Sequence, residues 1–159
     1  MAIKTAGRAK SLAVTGVGSS PTTPIGAIQS YSNSRSQELA DFLKGTARVV
    51  THYGGTKSAS ITIETADIGA VSTYEVGMKL DNVILTLEGA KDSADVADGS
   101  DLTLTLSEAV VSEISELGGG NENNAPATQS ITFTLSRHAD SSADPTFTIA
   151  VVSGGGGGG

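Results

Sequence analysis

Asp92, Asp95, Asp98 and Asp101 recur at every third residue in a polar stretch that also holds Gly99. Carboxylates so spaced in a loop are material for a hard cation such as calcium, which takes roughly six to eight oxygen ligands. The order departs from the EF-hand pattern, however, and no distal Glu closes the shell. A solvated acidic loop, or a docking site for a partner's basic segment, is the more economical reading. His52 and His138 are the only imidazoles. Neither sits in a nucleophile-and-acid pattern such as G-x-S-x-G, and two His without Cys fall short of the three or four ligands of a zinc site. Cysteine is absent, which excludes thiol chemistry and disulfides. Gly16-Val17-Gly18-Ser19-Ser20 has the glycines of a phosphate loop but neither the Gly-Lys-Ser/Thr ending nor a following helical pattern. Tyr31, Tyr53 and Tyr74 are able to line a sugar- or peptide-binding face, although tyrosines without Trp or an Arg-rich groove more commonly mark strand positions. No catalytic set emerges. The chain reads as non-enzymatic and without a cofactor.

The elements that position these residues are strands. In 159 residues there are three Phe, three Tyr and no Trp, so Val, Ile, Leu and Ala must fill the core of what reads as one domain. No apolar run approaches the roughly 20 residues of a membrane helix. SLAVTGVGSS, after Lys4, Arg8 and Lys10, is too short and too interrupted to be a signal sequence. Net charge is −7, unevenly spread: residues 1–37 carry +4 with no acid, and the remainder −11. Such a split allows copies of the chain to attract one another. The acidic body disfavours nucleic acid as a main ligand, because phosphate neutralisation needs clustered Lys and Arg.

Residues 1–24, rich in small residues and holding Pro21 and Pro24, read as an extended assembly arm with Lys4, Arg8 and Lys10 as its cations. Gly26–Ser32 reads as a strand with Ile28 inward and Tyr31 on the opposite side. The spacing of Leu39, Phe42 and Leu43, with Ser34 or Ser36 as cap and Gly45 as stop, predicts a short helix over Ser34–Lys44, or else a looped strand. Ala47–Tyr53, a Gly54-Gly55 turn and Ser58–Thr65 follow as strand, turn and strand. Asp67–Gly77 is a loop or an edge strand, and Lys79–Glu88 a central strand. Leu102, Leu104 and Leu106 alternate with Thr103 and Thr105, and Ile131, Phe133 and Leu135 with Thr132 and Thr134. Ala109–Leu117 is a further strand or a short helix. Phe147–Val152 is expected to form a hairpin with the strand before it. The fold class is all-β, or β-rich α+β: two packed antiparallel sheets in a sandwich or partial barrel spanning 25–153, with one short helix, the N-terminal arm, and a flexible glycine tail at 154–159.

The segment GAIQSYSNSRSQELADFLKGTARVVTHYGGTKSASITIE resembles the bacteriophage tail tube (major tail) protein family. There, a strand like Ile28-Gln29-Ser30-Tyr31 leads through a polar stretch and a glycine to a Val-rich strand, and then to an alternating strand like Ser60-Ile61-Thr62-Ile63-Glu64. The resemblance implies a virion structural protein assembled in the host cytoplasm, whose copies form rings, commonly hexameric. The rings stack into a tube alongside other tail proteins, and DNA passes without specific binding. A negative body suits that role, since a like-charged lumen does not hold DNA. The segment 118–129, rich in Gly and Asn, departs from the pattern. A capsid decoration protein and a surface carbohydrate-binding or adhesin module are the alternatives.

Overall fold

A computed structural model of the chain describes residues 6–19, 22–43, 50–89, 100–119, 125–138, 141 and 143–152; along 38–43 and 50–56 it describes the backbone. The strands are β1 (Ala6–Gly16), β2 (Ile28–Leu43), β3 (Val50–Thr65), β4 (Lys79–Gly89), β5 (Leu102–Ile114), β6 (Gln129–Leu135) and β7 (Phe147–Val151), with one helix, α1 (Ile68–Val71). They form a single antiparallel sheet ordered β1-β4-β5-β6-β3-β2, with β7 branching from β5. The fold is all-β, as the alternation implies, and of the two expected forms it is the partial barrel, built from one curled sheet and not from two stacked ones. Curling brings the two outermost strands together: Leu12 and Ile25 exchange backbone hydrogen bonds of 3.0 and 2.9 Å, and the Tyr31 hydroxyl donates to the Gly7 carbonyl at 3.0 Å.

Period-two alternation gives every strand one face for the core. Leu12 and Val14 of β1, Ile61 and Ile63 of β3, Val83 and Leu85 of β4, Leu106 and Val111 of β5, and Ile131 and Phe133 of β6 are buried together. One end of this core is stopped by α1 and the turn after it. Asp67 caps the helix by accepting from the Ala70 N–H at 3.2 Å and also accepts from the Gly26 N–H at 3.1 Å. Tyr74 then packs edge-on against Phe133, ring centroids 6.0 Å apart, and donates its hydroxyl to the Thr23 carbonyl at 2.6 Å.

Several expectations are corrected. Ala6–Gly16 is an edge strand of the sheet and not a free arm: it pairs with β4 and sends Leu12 and Val14 into the core, an apolar spacing hidden by the surrounding small residues. Ser34–Leu43 is strand and not helix, because Ser30, Ser32, Ser34 and Ser36 run along one face of β2 opposite β3. Gly54 and Gly55 lie inside β3, beside an irregularity in its register with β2 between Gln37 and Leu39. Among the described residues, the α-helix falls within 67–77. Tyr31 packs against the core like Ile28, because a register shift between Ile28 and Ser30 reverses the phase. Leu102–Ile114 is one strand, bent at Glu108, whose φ is +58°. β7 pairs with β5 and not with β6. Gly118–Gln129 begins and ends in a bridge between Gly118 and Thr128.

Candidate functional site

The candidate surfaces follow from the two faces of the sheet. Opposite the core, the register aligns Ser60 with Thr134 and Thr62 with Thr132. Hydroxyls bridge strand to strand: Ser34 to Ser60 at 2.9 Å, Ser36 to Ser58 at 2.7 Å, Thr62 to Thr132 at 3.0 Å, and Thr134 to Ser112 at 2.7 Å. Short β-branched or hydroxylic side chains suit a pleated surface and satisfy one another across it. Across β2, β3, β6 and the second half of β5, the described side chains on this face include Glu64 and Glu113 and no Lys or Arg. Glu64 accepts from Thr128 at 2.7 Å and Ser30 at 3.3 Å. Along its outer edge, β2 beyond Ser32 has no strand partner among the described residues.

The candidate chemical groups are dispersed. Arg8 pairs with Glu88 at 2.8 Å, and Lys10 with Asp101 at 2.9 Å, so two of the three cations assigned to the arm bind this chain's own body. The Asp101 carboxylate, as hydrogen-bond acceptor and then as charge, raises the Lys10 pKa. Asp101 also accepts from the Gly89 N–H at 3.2 Å. Lys4, Asp92, Asp95 and Asp98 lie outside the described residues. Among the described residues, no three His, Cys, Asp or Glu side chains cluster as a metal site. The His138 side chain is mostly buried, with Nδ1 3.5 Å from Asp81 Oδ1 and Nε2 3.4 Å from the Ala109 carbonyl. His52 lies in β3 with Asp41 of β2 as its register partner. The Ser141 hydroxyl and the His138 N–H, the latter at 3.0 Å, lower the pKa of Glu108. Tyr74 is buried at the helix end and Tyr31 is half-buried between β1 and β2, so the two do not share an exposed binding face.

One arrangement has no single motif to announce it. Arg35, Lys57, Leu135 and Phe147 line a cavity of about 420 Å³ where β7 separates from β3. Their separation in sequence hides the grouping. The serine period of β2 was a readable signal, masked by its equal fitness as a helix cap.

No protein-family model and no curated protein sequence matches the chain. Solved structures do. A chain of the sheath–tube complex of the PVC extracellular contractile injection system, in its extended state, aligns at a TM-score of 0.52 and 15% identity, covering 89% of this chain and 88% of that one. A chain of the anti-feeding prophage baseplate aligns at 0.52 and 15%, covering 96% and 99%. The sheath/tube terminator of the PVC system gives 0.50 and 14%, covering 87% and 91%. These likenesses establish a shared fold.

Proposed function

We propose that the chain is a structural subunit of a phage-type tail, and specifically a tube subunit whose copies close into rings, hexameric in the simplest case, that stack into a conduit for DNA. The hydroxyl face of β2, β3, β6 and β5 carries this reading. Its polar groups hydrogen-bond mainly to one another, and among the described side chains this face carries two carboxylates and no Lys or Arg, since Arg35 and Lys57 stand on the opposite face. Phosphate binding draws on Lys and Arg, so a wall of this composition lets a polyanion pass without holding it. The open edge of β2 supports the reading further. A neighbouring copy pairing there extends the sheet, and the hydroxyl surface continues from subunit to subunit. The extended likeness to chains of a sheath–tube complex and a baseplate agrees with a place in a tail beside other tail proteins. The role is non-enzymatic, and the site of action is the virion, after assembly in the host cytoplasm.

Sedimentation velocity across a wide concentration range, followed by negative-stain microscopy, tests the proposal. Rings or tubes are expected at high concentration. A single monomeric species throughout overturns it.

A further inference from the structure

β5 has one edge covered by β4 and shares the other between two strands, with β7 against Leu102–Leu106 and β6 against Ala109–Ile114. β3, paired with β6 only from Ser60 to Thr65, continues back to Val50 with β2 as its one strand partner among the described residues. The sheet therefore splits beyond the end of β6. The cavity of about 420 Å³ opens in that wedge, within the roughly 300–1,000 Å³ range of binding clefts.

The wedge has three unsatisfied properties. β7 and the first half of β3 each present a backbone edge without a strand partner among the described residues. Phe147, Ile149 and Val151 lie on the core face of β7, opposite Leu106, Leu104 and Leu102. Yet Ile149 and Val151 are 48% and 49% exposed, since no described element covers them. Lastly, Arg35 and Lys57 stand on the core face of the β2–β3 hairpin, and among the described residues neither has an ion-pair partner. The Arg35 guanidinium lies 5.5 Å from the centre of the Phe147 ring, held by cation–π attraction at the cleft wall. An occupant that used all three features would be extended, partly apolar and anionic.

Residues 92–98, Asp-Ser-Ala-Asp-Val-Ala-Asp, have that chemistry. With an acid at every third position, either face of the extended segment presents a carboxylate beside an Ala or Val: Asp92, Ala94, Val96 and Asp98 on one, Asp95 and Ala97 on the other. We infer that the wedge of one copy receives residues 92–98 of a second copy, added as a strand along a free edge, with its carboxylates on Arg35 and Lys57. The inference rests on the chain's being self-assembling, and it names the contact that joins the copies.

The test is fluorescence anisotropy of a labelled peptide of residues 89–101 with the full-length protein, held below the concentration at which it associates. Saturable binding is expected. It should weaken about tenfold or more in R35E/K57E, whose fold is checked by circular dichroism, and with a peptide of scrambled order. Mixing R35E/K57E with D92K/D95K/D98K should restore association that each lacks alone. Equal binding to wild type and R35E/K57E, equal binding of the scrambled peptide, or no peptide binding overturns the inference; the last includes occupation of the wedge by the chain's own segment. Peptide binding by a protein that never forms rings upholds this contact and removes the tube reading. Tubes without peptide binding do the reverse.

Discussion

Deleting residues 2–16 should unfold the protein and not merely trim it. Leu12 is 0% exposed and Val14 8% exposed. At about 1.5–3 kcal/mol for each fully buried aliphatic side chain, these two alone contribute about 3–6 kcal/mol. The ladder from Ala6 to Gly16 along β4 is lost as well, leaving the apolar β4 strand with a bare edge. A domain of this kind has a net stability of about 5–15 kcal/mol, so the deletion removes most or all of it. The exposed pairs Arg8–Glu88 and Lys10–Asp101 contribute little to this sum, because solvent screens them. Urea unfolding followed by circular dichroism separates the contributions. Leu12→Ala should cost about 2–5 kcal/mol, and R8Q/K10Q should leave the midpoint nearly unchanged. A 2–16 deletion that still unfolds cooperatively at the wild-type midpoint would refute the argument and restore the segment to the status of an arm.

Two further outcomes are expected. Ala27 sits at φ +48°, in a region that costs a non-glycine residue roughly 1–2 kcal/mol, so Ala27→Gly should raise stability by about 1 kcal/mol; an unchanged or lower urea midpoint counts against that strain. Burial raises the Tyr74 pKa above its ordinary 10.0, with the Thr22 hydroxyl opposing. The unfolded phenol then loses its proton first, so stability is intact below that value and falls as pH climbs through the folded pKa. Tyr74→Phe should lessen this alkaline loss, and an identical pH profile in the variant would show that another group is responsible.

The sequence announces β4, β6, β7 and the first half of β5 because Thr or another small or polar residue alternates with aliphatics, and that period is a direct consequence of one face being buried. It hides β1, whose Leu12 and Val14 are set among Ala, Ser and Thr with no contrast of size. It misleads at Ser34–Leu43, where serines at helix-capping positions also have strand period and the pairing with β3 decides between them. Pairing choices are invisible locally: β7 joins β5 along Leu102–Leu106, and nothing near Phe147 encodes it. The hydroxyl face is half-legible, since Thr103, Thr105, Thr132 and Thr134 can be read as outward while the β2 serines cannot. The wedge is not legible at all. Arg35, Lys57 and Phe147 are brought together only by the way the sheet splits.

The strand order has a consequence for synthesis. β1 and β2 leave the ribosome first, but they supply the two margins of the sheet, and the interior strands β4, β5 and β6 follow later. Only the β2–β3 hairpin can zip up on its own; β1 must await β4, made some sixty residues afterwards. Long-range closure of this sort is slow, on the order of milliseconds to seconds. Until it finishes, the nascent polypeptide displays sticky borders, and the serine-laden β2 is the border best fitted to stay hydrated while it waits.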